Sequence, residues 1–150
     1  MIRTLVDITL GALISLAPVS LAQSQPRPAK SKYLVTEGAG FMMKRGEGVM
    51  YAVTFSVREP MASPLYATIS FENPENRKSP YVLDLTVEPG QARILAQSPG
   101  ISRIKNGKTY KVEVLLFSDQ SRTERIGKHV QKVSFALPPG MESAFGIELL

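Results

Sequence analysis

One histidine, 13 acids and no cysteine narrow the chemistry this chain can carry. A Ser–His–acid hydrolase would have to use His129 as its base. The candidate serines Ser118, Ser121 and Ser134 stand in no Gly-x-Ser-x-Gly turn, the usual setting of an exposed nucleophile. His129 reads instead as an outward or edge-facing residue of a late strand. As a metal ligand it has no second histidine and would need carboxylates such as Asp119 or Glu124. Asp84 and Glu88 share one strand face but lie about 13 Å apart, too far for paired glycosidase carboxylates on one strand. Glu72, Asn73, Glu75 and Asn76 surround a turn, yet FENPENRK lacks the alternation of a calcium loop, and Arg77 and Lys78 oppose a cation. Without cysteine there is no thiol nucleophile, thiolate metal site, disulfide or lipoprotein anchor. The expectation is a protein that is not an enzyme and carries no cofactor or metal.

Residues suited to binding are more numerous. Phe41, Met42, Met43, Lys44 and Arg45 lie between two glycine pairs, Gly38/Gly40 and Gly46/Gly48. They form either a tip that touches a partner or an anionic surface, or a short strand with Phe41 and Met43 in the core and glycines marking its turns. No lysine–serine pair follows these glycines, so they are no phosphate cradle. The segment 118–128 sets Arg122, Arg125 and Lys128 against Asp119 and Glu124, as a recognition loop or a solvated hairpin. Arg103, Lys105 and Lys108 fall in another loop, so the bases are expected at both ends rather than in one stripe. With few aromatics beside them, nucleic acid is not an expected partner. The tail 138–150 ends in Phe145, Ile147, Leu149 and Leu150, which need cover from an eighth strand of the same domain or from a partner's sheet edge.

The elements that must position these residues have a period of two. Val49, Tyr51, Val53, Phe55 and Val57 share a face, as do Leu65, Ala67, Ile69 and Phe71. The pattern repeats with Tyr81, Leu83, Leu85 and Val87, more weakly with Ala92, Ile94 and Ala96, and strongly with Tyr110, Val112, Val114 and Leu116. A last run places Val133, Phe135 and Leu137 inward, and residues 33–36 offer an opening edge strand. Pro60, Pro64, Pro74, Pro80, Pro89-Gly90, Pro99-Gly100, Asn106-Gly107 and Pro138-Pro139-Gly140 punctuate these runs. Seven to eight short strands imply an all-β antiparallel sandwich, with a closed barrel as the alternative.

The stretch Asn106-Gly107-Lys108-Thr109-Tyr110-Lys111-Val112 resembles the approach to the sixth strand of immunoglobulin-like and fibronectin type III-like sandwiches. The resemblance implies a corner in which the Tyr110 hydroxyl bonds back to the chain, with Val112 where antibody domains place a core cysteine. Both cysteines and the core Trp of true immunoglobulin domains are missing, so a fibronectin-like or generic bacterial immunoglobulin-like sandwich is the better name.

Residues 1–22 supply the address. Arg3, an apolar stretch at 8–22 of 15 residues, Pro18 and the small residues Ser20 and Ala22 form the pattern of a cleaved secretory signal. A spanning helix needs about 20 residues. The expected organisation is a signal peptide at 1–22, a flexible Pro-containing leader at 23–31 and one β domain at 32–150. Export to the periplasm or the cell exterior follows, with membrane contact only by the signal. The net charge of +5 suits an acidic partner face or simply solubility. The expected function is a protein-binding or assembly module for another envelope or extracellular protein. The alternative is binding of acidic envelope polymers through basic loops. Candidate contact residues are Phe41, Met42, Lys44, Arg45, Arg122, Arg125, Lys128, Phe145 and Ile147.

Overall fold

β-Branched and aromatic residues at every second position favour a pleated backbone with one dry face. The computed structural model describes residues 25–59 and 61–150; the expected signal peptide lies outside them. The strands are β1 (Leu34–Lys44), β2 (Gly48–Val57), β3 (Leu65–Phe71), β4 (Tyr81–Val87), β5 (Arg93–Gln97), β6 (Arg103–Ile104), β7 (Thr109–Phe117), β8 (Arg125–Ser134) and β9 (Glu148–Leu149). Two antiparallel sheets result, ordered β1-β2-β5 and β4-β3-β7-β8, with a short parallel pair of β6 and β9. Their inner faces close on one core that includes Val53 and Phe55 from β2, Ile69 and Phe71 from β3, and Val112 and Val114 from β7. Burying each such side chain stabilises the fold by about 1.5–3 kcal/mol. The chain is an all-β sandwich.

The inward parity of every central strand agrees with the alternation in the sequence. Tyr51 and Tyr110 are the largest side chains in the interior, and each brings its hydroxyl to a backbone partner. Tyr51 Oη donates to the Glu72 carbonyl at 2.7 Å, and burial raises its hydroxyl far above the usual tyrosine range. Tyr110 Oη accepts from Lys105 N at 2.9 Å and donates to Lys105 O at 3.2 Å, the back-bonded corner expected beside Asn106-Gly107. Asn106 adds a second clasp, its amide exchanging two hydrogen bonds with the Leu137 backbone.

Three expectations need correction. The opening strand does not stop at residue 36. It bulges between Thr36 and Gly38 and continues to Lys44, because Ala39, Phe41 and Met43 resume the inward alternation while Gly38 and Gly40 leave the outer side bare. The glycines at 38 and 40 are therefore strand residues; only Gly46 and Gly48 mark a turn, both with positive φ.

The leader is docked over residues 25–31. Gln25 exchanges two side-chain hydrogen bonds with the Ser134 backbone, and Gln131 receives Ala29 N and donates to Arg27 O. Thr36 N donates to Ala29 O at 2.9 Å, which ties the same segment to β1. The leader fills the seam between β8 and β1 because the polar interior of that seam needs its amides.

His129 is not a surface residue. The inward parity of Val133 extends back through Gln131 to His129, and His129 is 2% exposed. Its Nδ1 lies 2.8 Å from Ser31 Oγ and its Nε2 2.8 Å from Thr36 Oγ1, with the Phe55 ring edge-on at 5.4 Å.

Candidate functional site

The residues singled out for binding separate on folding. Lys44 and Arg45 do sit at an exposed tip, the β1–β2 turn, where Lys44 pairs with Glu47 at 2.9 Å. Phe41 and Met42 point to opposite sides of β1. Phe41 packs at a tilt against Tyr51 at 4.5 Å and meets Phe135 edge-on at 5.2 Å, so it braces the domain's own interior. Met42 is exposed on the outer face.

The segment between β7 and β8 is a locked hairpin. The Asp119 carboxylate accepts from Ser121 Oγ, Thr123 Oγ1, Thr123 N and Glu124 N, and these donors hold it far below the usual carboxylate range. Arg122 takes a positive φ at the tip and folds back to Asp84 at 3.4 Å, where Asp84 also accepts from Thr68 Oγ1. Lys128 pairs with Glu113 at 3.4 Å, while Arg125 points to solvent. Two of the three bases are thus neutralised within the fold.

The tail packs on its own domain. Glu148 N donates to Ser102 O and Leu150 N to Ile104 O, forming the β6–β9 pair. Ile147 is 6% exposed and belongs to the core, and Phe145 packs against it. As partner contacts both are corrected: this domain covers Phe145 and Ile147 where β6 offers a free strand edge, while Leu150 stays exposed.

A groove of about 400 Å³ lies on the outer face of the four-stranded sheet, lined by Ser70, Glu72, Arg77, Pro80, Lys111 and Glu113. Each carboxylate in it faces a base. Glu72 Oε1 is 2.9 Å from Arg77 Nε, an ion pair off the hydrogen-bond line, and Oε2 accepts from Lys111 N. Glu113 meets Lys111 and Lys128. This is an ion-pair network rather than an acid–base pair. At the adjoining turn Asn73 and Asn76 turn their amide oxygens onto the Glu75 and Lys78 backbone, and Glu75 pairs with Arg103. Those oxygens are already in use. Among the described residues no three His, Asp or Glu side chains converge to hold a metal ion.

Apart from Tyr51 and Tyr110, His129 is the titratable side chain buried inside the sandwich, and burial lowers its pKa below the ordinary value. The unfolded chain therefore takes up a proton before the folded one does. Stability should be complete above about pH 6.5 and fall as pH drops below it, at up to about 1.4 kcal/mol per pH unit, until the folded state also protonates. Because His129 is the sole histidine, its NMR signal reports the folded pKa directly, and His129→Gln should flatten the acid limb of the stability curve. A folded pKa at or above that of the unfolded chain would refute this.

The remaining surface feature is an edge that sequence reasoning missed. β1 lies against β8, so β5 of one sheet and β4 of the other are the end strands on the side away from that seam. Among the described residues no strand pairs with their outer sides. Leu95 of β5 and Val82 of β4 are 64% and 58% exposed, the two most exposed large apolar side chains described. Both stand at outward parity in their strands. That signal was legible, but which strands become edges was not. Comparison with known proteins adds no identity, since no protein-family model matches the chain and no curated protein sequence matches it significantly.

Proposed function

We propose that this protein is a non-catalytic binding module of the fibronectin type III-like kind, working in the periplasm or outside the cell, and that its β4–β5 edge receives a strand of a protein partner. The strand orders β1-β2-β5 and β4-β3-β7-β8, together with the Tyr110 corner, support the fibronectin-like assignment. The N-terminal signal-like residues support export.

The observation that carries the binding reading is an asymmetry between edges. Bare edge strands invite pairing with other chains, and proteins normally blunt them with charge, proline or a covering segment. The β8–β1 seam is covered by residues 25–31. The β4–β5 edge has no such cover among the described residues, and Val82 and Leu95 stand exposed there beside Asp84 and Arg93. Strand addition at such an edge takes affinity from main-chain hydrogen bonds and specificity from alternate side chains.

Photo-crosslinkers placed at residues 82 and 95 in the native envelope test the reading, with one at residue 132 as a control on the far edge. The expected result is one protein caught at 82 and 95 but not at 132, and lost in a Val82→Lys/Leu95→Lys variant that keeps its melting temperature. No capture, or capture equal at all three positions, would refute it.

A further inference from the structure

The basic residues divide into two populations. Lys44, Arg77, Arg93, Arg103, Lys111, Arg122 and Lys128 all stand within ion-pair distance of a carboxylate. Among the described residues ten do not; Arg45, Lys78, Lys105 and Lys108 lie in separate turns, while Arg27, Lys30, Lys32, Arg58, Arg125 and Lys132 belong to the leader, the end of β2 and β8. Gln25 bonds to Ser134, Arg27 and Ala29 to Gln131, and Ser31 to His129, so the leader runs antiparallel along β8. Arg58 joins them, its guanidinium donating to Ser31 O at 2.9 Å and its backbone N to Tyr33 O. Lys105 and Lys108 precede β7 while Arg122 and Arg125 follow it, so the loop bases do lie at both ends, and the leader adds a further group along β8. The leader's bases lie far from 125–132 in sequence and beside it in space.

We propose that this edge binds a linear polyanion, an acidic polysaccharide, in an extended line. From Arg125 to Lys132 the strand covers about 23 Å, long enough for several charged monomers. Six cations without carboxylate partners along one edge attract such a polymer, and that attraction is screened by salt. The exposed large apolar side chains, Met42, Met61, Val82, Leu95 and Leu150, lie on other parts of the molecule, so the edge offers no wedge for lipid. The surface is opposite the β4–β5 edge, so either can fail without the other.

The leader docks through Gln25, Ser31 and its backbone, so its basic side chains can be removed without undocking it. An Arg27→Gln/Lys30→Gln/Lys32→Gln variant is compared with Lys78→Gln/Lys105→Gln/Lys108→Gln, which removes equal charge elsewhere. Calorimetric titration with polygalacturonate at low and physiological salt is the measurement, and the His129 NMR signal confirms docking. The leader variant should bind at least about tenfold more weakly and the control within about twofold, with wild-type affinity falling steeply as salt rises. Equal losses in both variants, or no binding by the wild type, would overturn the proposal. So would binding to phosphatidylglycerol vesicles without binding to the polymer, which would make the edge a membrane face.

Discussion

Gly48→Ala should destabilise the domain by more than about 3 kcal/mol, the largest single-residue effect expected outside the aromatic core. Gly48 opens β2 at φ 81°, a conformation that costs other residues about 1–2 kcal/mol. A methyl group there would also collide with the Ile101 carbonyl oxygen. That oxygen cannot retreat cheaply, because it accepts from Val49 N at 3.0 Å while Ile101 N donates back to Val49 O at 2.7 Å. Gly46 provides the control. Its φ is 79°, but a methyl would meet nothing within 4 Å, so Gly46→Ala should show only the backbone cost. Urea unfolding of both variants separates the two terms. Equal losses would mean that the β2–Ile101 clasp yields to the extra methyl.

Removing residues through Ser31 should have the second large effect. Gln131 and His129 would lose Ala29 N, Arg27 O and Ser31 Oγ, and the β8 backbone would lose Gln25. Water replaces part of this, so a loss of about 2 kcal/mol is expected, or roughly 10 °C in melting temperature for a domain of this size. The uncovered β8 edge should also self-associate. Calorimetry and sedimentation of the chains beginning at 25 and at 32 measure both consequences. An unchanged melting temperature would show that the docked leader contributes no stability. A truncated chain that stays monomeric would show that β8 needs no cover.

The sequence made the central strands legible because each has one dry face, and a period of two survives without knowledge of its neighbours. The alternations at 49–57, 65–71 and 110–116 coincide with β2, β3 and β7. The corner at Tyr110 was equally readable, since its turn, its aromatic and its acceptor lie within six residues. His129 was misread although the parity of Val133 already placed it inside. A histidine between Lys128 and Val130 gives no local sign that Ser31 and Thr36 will supply its hydrogen bonds.

Local periodicity and turn chemistry thus determined that this chain is an all-β sandwich, and composition alone removed thiol chemistry. Only the tertiary structure decided that the leader belongs to the fold, that the tail covers itself, and that one sheet edge is closed while the other stands open. Those outcomes depend on contacts between residues far apart in sequence, such as Gln25 with Ser134 and Glu148 with Ser102, whose pairing no local pattern encodes. The same long-range pairing lays Arg27, Lys30 and Lys32 along β8, because charge in sequence becomes a surface only after strands choose their neighbours.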